Sequence, residues 1–109
     1  MPPLRTYNDV KALLKGLKDG TIDMVTSDHI PMDIEQKRVE FDNAESGSIG
    51  LESAFGGLNI LFDFDLTIAL LTKGRERFGL KTPIIKEGEI ATLTLFDPDL
   101  EYTFDVRNI

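Results

Sequence analysis

The sequence predicts an α/β chain that is incomplete as a stand-alone fold. Three observations carry that prediction. Apolar residues fall at helical spacing near the N-terminus and again in the middle of the chain, a single β-rich run lies between them with no parallel partner, and two alternating runs close the sequence without a third. A lone strand has no ladder to join, and a two-stranded ribbon is marginal in water. The simplest account is that these 109 residues are part of something larger.

The elements follow in chain order. Val10, Leu13, Leu14 and Leu17 stand at i, i+3, i+4 and i+7, which puts one apolar face on a helix from about residue 7 to 18. Thr6 with Asp9 three residues on is a capping-box pattern, and Gly20 sits where a helix stop belongs. Thr21 to Ser27 is rich in β-formers and reads as a strand whose end delivers Asp28-His29-Ile30-Pro31. In parallel α/β folds the carboxyl ends of strands are where ligands bind, so that placement is informative. Residues 32 to 48 alternate charges without an apolar face and read as a long loop with one helical turn. From Leu51 the spacing of Ala54, Phe55, Leu58 and Phe62 is helical, and Gly56-Gly57 predicts close contact with a neighbouring backbone. Asp65 is the expected cap of a second helix carrying Leu66, Ala69 and Leu70 and stopping near Gly74. Residues 90 to 96, a turn at Asp97-Pro98-Asp99, and Tyr102, Phe104 and Val106 then alternate as two strands.

Composition excludes several classes. Without cysteine there is no disulfide framework, thiolate nucleophile or Cys-ligated zinc. His29 is the single histidine, so a closed zinc site from this chain alone would rest on it and carboxylates, a poor match to the usual donor sets. Nineteen acidic against twelve basic residues give a net charge of −7, which repels phosphate backbones and argues against nucleic acid. No run approaches the ~18 apolar residues of a membrane span, and Met1-Pro2-Pro3-Leu4-Arg5 lacks a secretory apolar region, so a cytoplasmic chain without membrane contact is expected.

Two motifs invite chemistry. Asp63-Phe64-Asp65-Leu66-Thr67 after an apolar run is similar to the first motif of haloacid dehalogenase-like phosphatases. Leu66 in place of a glycine, an apolar run better suited to a helix, and only 42 following residues favour an acidic helix cap instead. Asp28-His29 taken alone reads as a capping carboxylate and a solvated imidazole. Its surroundings change that weighting.

Pro2-Pro3-Leu4-Arg5, Gly16 to Asp23 and Thr26-Ser27-Asp28-His29-Ile30-Pro31 resemble, in order, the last quarter of a dihydroorotase, a family of cyclic amidohydrolases. The likeness continues through Gly47-Ser48-Ile49-Gly50-Leu51-Glu52-Ser53-Ala54-Phe55, Phe78-Gly79-Leu80 and Ala91 to Asp97. The resemblance implies the last strand and helices of a (β/α)8 barrel over residues 1–79, then strands of a small β-sandwich over 80–109. It also implies a binuclear zinc centre in the full-length protein and reversible cyclisation of N-carbamoyl-L-aspartate to dihydroorotate in pyrimidine synthesis.

On that template Asp28 is the catalytic residue, a zinc ligand and proton shuttle. Ser46 and Gly47 match the substrate-contacting loop, and His29 is expected to support the site. The family's substrate-binding histidine four residues after the aspartate is Met32 here, and a thioether cannot donate as an imidazole does. The other ligands, a His-x-His pair, a carboxylated lysine and two more histidines, have no counterpart. This chain alone is therefore expected to hold no zinc and to be inactive. Two hypotheses stand: the C-terminal fragment of a dihydroorotase-like hydrolase with a small-molecule substrate, or a non-catalytic dihydroorotase homologue serving as a scaffold for aspartate transcarbamoylase. Allantoinase or hydantoinase relatives are a lesser alternative. Exposed strand edges and apolar helix faces predict self-association or association with the missing barrel portion. A self-contained fold with Asp28 facing bulk water far from any cleft would contradict the proposed role.

Overall fold

The computed structural model describes residues 6–105 and 107. Pro2 to Arg5, Val106 and Ile109 lie outside the described residues. Helix α1 spans Tyr7–Asp19, and both predicted termini are present. Thr6 Oγ1 accepts from the Asp9 amide at 3.2 Å while Asp9 Oδ2 accepts from the Thr6 amide at 2.8 Å, a reciprocal cap worth about 1 kcal/mol. Gly20 ends the helix at φ 79°, a left-handed conformation that glycine adopts without steric cost. The chain then folds back, Ile22 donates its amide to Gly16 O at 2.9 Å, and Gly16 is buried beneath the Ile22 side chain.

The expected loop from residue 32 to 48 holds a single turn, α2, at Ile34–Lys37, and a short 3-10 turn at Phe41–Asn43. Helix α3 covers Ala54–Leu61, α4 covers Phe64–Thr72, and α5 is a final turn at Gly74–Arg77. Helices α3 and α4 pack on each other, and the small core sits there: Phe62, Thr67 and Leu70 are the buried side chains among the described residues. Phe55 meets Phe96 edge-on at 4.9 Å, which ties the C-terminal segment to α3.

Several expectations need correction. Thr21 to Ser27, residues 90 to 96 and residues 102 to 105 form no strand ladder among the described residues. A strand is defined by backbone bonds to a neighbour, and alternation supplies only the side chains. The 21–27 segment makes two such bonds, both to helices: Ile22 N–H to Gly16 O and Val25 N–H to Leu70 O, each at 2.9 Å. The cap of α4 is Asp63, whose Oδ1 accepts from the Leu66 amide at 2.9 Å; Asp65 lies inside the first turn. That geometry makes the Asp63-x-Asp65 pair a helix start, not a phosphatase strand end. Nor does Gly56-Gly57 mark a close backbone approach: a Cβ at Gly57 would meet nothing within 4 Å. The close approaches lie at Gly47 and Gly50.

The accessible surface is 9531 Å², against about 6,100 Å² for a compact monomer of this mass. Many large apolar side chains are exposed. Phe41, Ile60, Ile85 and Ile90 are each at least 85% exposed, and Leu95 is fully exposed. Within its described residues this chain does not bury enough apolar surface to form an ordinary single core.

Candidate functional site at the Asp28 turn

The stretch Ser27-Asp28-His29-Ile30 follows the segment that Val25 ties to Leu70 O of α4, and it turns at Asp28. Among the described residues Asp28 is the one non-glycine residue with positive φ, 44°. Aspartate tolerates this region better than most residues, because its short polar side chain bonds locally, but the conformation still carries strain. Pro31, three residues on, confines the backbone of Ile30 to extended geometry and directs the chain away.

A second segment, residues 47–51, lies directly against this turn. His29 and Ser48 form a parallel bridge, with the Ile30 amide donating to Ser48 O at 2.9 Å. The approach is backbone to backbone. A Cβ added at Gly47 would stand 2.7 Å from Ile30 O, and one at Gly50 would stand 2.8 Å from Ser27 O. Gly47 also has φ 141°, which only glycine adopts readily. These two contacts explain in physical terms why glycines occupy both places.

Two side chains hold the loop from opposite ends. His29 Nδ1 accepts from the amides of Gly50 and Leu51, both at 3.2 Å. An accepting Nδ1 carries no hydrogen, which leaves Nε2 as the ring's N–H. On the other side Lys37 Nζ donates to Glu45 O and Gly47 O, both at 2.6 Å. Composition gave little reason to single out Lys37, one cation in a loop of alternating charge.

The structure thus brings Asp28, His29 and Gly47 onto two adjoining segments, with Ser46 next in sequence. Asp28, His29 and Ser46 are exposed, while Met32 and Gly47 are half-buried. Asp28 lines neither of two cavities that lie among the described residues. The larger, about 930 Å³, lies between α3 and residues 96–104, lined by Phe55, Ile60, Phe96 and Tyr102, with Tyr102 Oη donating to Glu52 O at 3.1 Å. The smaller lies between Lys18 and the start of α4. No group of three or more His, Asp or Glu side chains among the described residues could hold a metal ion. One carboxylate beside an imidazole whose Nδ1 is already engaged does not fit a binuclear zinc centre.

No helix among the described residues is long and apolar enough to cross a membrane. No family model matches the chain. Individual proteins do, and what they share is one class, the enzymes named dihydroorotase. The dihydroorotase of Caldicellulosiruptor saccharolyticus is 41% identical over 115 aligned residues, covering 99% of this chain and 27% of that protein. That of Clostridium acetobutylicum is 43% identical, covering 94% of this chain and 26% of the relative. That of Anaeromyxobacter dehalogenans is 40% identical, covering 95% and 25%. The chain spans about a quarter of the length of the curated relatives it matches, consistent with a C-terminal portion. Over nearly all of its residues this chain is dihydroorotase-like.

Proposed function

We propose that this chain is the C-terminal part of a dihydroorotase-like amidohydrolase that interconverts dihydroorotate and N-carbamoyl-L-aspartate. The observation that carries the reading is 41% identity across 99% of the chain to a dihydroorotase. The residues around Asp28 support it: a strained aspartate beside a glycine loop is an arrangement retained where a side chain must be aimed. The large exposed apolar surface fits a piece whose neighbours lie elsewhere in the whole protein, as the last strand and helices of a (β/α)8 barrel, residues 1–79, followed by sandwich strands, residues 80–109.

In this reading Asp28 is the site carboxylate. In the hydrolytic direction water adds to the ring amide carbon, its proton passes to Asp28, and Asp28 returns that proton to the ring nitrogen as the carbon–nitrogen bond breaks. Ser46 and Gly47 contact substrate. The binuclear zinc centre implied by the family resemblance would polarise the reacting groups of the whole protein. What this chain contributes is the carboxylate, so alone it is inactive. The whole protein is metal-dependent and acts in pyrimidine synthesis in the cytoplasm.

The test is turnover of dihydroorotate by the whole protein. Asp28→Asn is expected to lower kcat by about 10² to 10⁴, the range for losing a positioned acid–base group. A whole protein inactive with Asp28 intact overturns the reading.

One residue favours a second reading. Met32 stands where the family usually donates an imidazole hydrogen to a substrate carboxylate, and its thioether has no proton to donate. A silent homologue serving as a scaffold for aspartate transcarbamoylase would lack turnover and co-purify with that enzyme. Turnover of allantoin or a hydantoin in place of dihydroorotate would point to the related amidohydrolases.

A further inference from the structure

The loop carrying Ser46 and Gly47 is long, exposed and almost without regular structure, yet its path is defined by contacts at both ends. At one end the Lys37 ammonium bridges two carbonyls eight and ten residues on, Glu45 O and Gly47 O at 2.6 Å each. At the other, His29 Nδ1 takes the amides of Gly50 and Leu51 at 3.2 Å each. Between them the Ile30 amide bonds to Ser48 O at 2.9 Å, and the Gly47 and Gly50 backbones touch Ile30 and Ser27. The chemistry is complementary. A cation with three donors collects carbonyls, and an unprotonated ring nitrogen collects amides, so backbone groups that no helix or sheet satisfies are satisfied by side chains.

We propose that Lys37 and His29 are a two-sided clasp, positioning residues that hold the 45–51 loop against the Asp28 turn and thereby place Ser46 and Gly47 for substrate. Neither acts on the reacting atoms. Lys37 sits on α2, the α-helical turn in the loop, whose Asp33 amide is capped by Gln36 Oε1 at 3.2 Å, so the ammonium is delivered from a fixed start. His29 is delivered by the turn at Asp28 itself, which couples loop position to the carboxylate's backbone. This inference deepens the dihydroorotase reading and rests on it for the substrate.

The experiment uses the whole protein, with hydrogen exchange read by mass spectrometry on peptides covering residues 45–52, and kcat and KM for dihydroorotate. Lys37→Met and His29→Leu are expected to raise deuterium uptake at 45–51 at least tenfold in rate, and to raise KM about tenfold with kcat changed less than twofold. Lys37→Arg keeps the donors and His29→Asn keeps an acceptor; both are expected to restore slow uptake and low KM. Unchanged uptake in Lys37→Met and His29→Leu overturns the clasp. So does faster uptake with unchanged KM, or failure of both conservative variants to rescue. If the unsubstituted protein has no turnover, the dihydroorotase reading falls, and uptake with its rescue alone decides the clasp.

Discussion

Gly47→Ala tests the backbone contact on which the site geometry depends. Two costs add. Alanine at φ 141° occupies a region that is essentially glycine-only, worth about 1–3 kcal/mol. Its Cβ would also stand 2.7 Å from Ile30 O, a backbone atom that moves only with its segment, and such overpacking costs about 1–3 kcal/mol. A central value of about 4 kcal/mol corresponds to roughly a thousandfold change in local opening. The reporter is the Ile30 amide, bonded to Ser48 O at 2.9 Å across the same contact. In native-state hydrogen exchange of the whole protein that amide is expected to exchange about a thousandfold faster in the variant. Gly79→Ala is the control. Gly79 also has positive φ, 66°, but a Cβ there meets nothing within 4 Å, so only a conformational cost of about 1 kcal/mol applies and Ile30 is unaffected. Unchanged exchange at Ile30 in Gly47→Ala would refute the argument that loop and turn are held backbone to backbone.

Other outcomes follow from the same structure. Thr67 is fully buried with no partner for its Oγ1 among the described residues, so Thr67→Val is expected to stabilise the protein by about 1 kcal/mol, read as a higher denaturation midpoint; a lower one contradicts the unsatisfied hydroxyl. The Arg77 guanidinium bonded to Asp23 holds that carboxyl below its ordinary 3.8. Because the folded value is the lower one, the pairing stabilises above the unfolded value and is lost as pH falls through the folded one. Arg77→Gln is expected to move the Asp23 titration up toward 3.8 in a carboxyl NMR titration, and an unmoved titration denies the pairing. Met32→His restores an imidazole donor to the substrate loop and is expected to lower KM for dihydroorotate several-fold; an unchanged KM removes Met32 from the substrate contacts.

Local features were legible from residues alone. The α1 cap at Thr6 and Asp9, its stop at Gly20 and the course of α3 and α4 depend on groups three to seven positions apart, and the chain meets those partners wherever it goes. The choice between Asp63 and Asp65 as cap was not legible, because both stand before apolar residues and only backbone conformation separates them. Similarly, Gly56-Gly57 drew notice as a pair, whereas the glycines that matter, Gly47 and Gly50, are defined by carbonyls about twenty residues away.

The sequence by itself determined the helices, the acidic balance and the dihydroorotase likeness, because each is written in residue order, spacing or charge. Tertiary structure alone decided that the β-rich runs have no ladder among the described residues, that Asp28 sits at positive φ, and that Lys37 and His29 reach the 45–51 loop. Ladders, close backbone approaches and side-chain clasps join atoms remote in sequence, and only folding brings such atoms within the 2.6–3.2 Å at which a hydrogen bond acts.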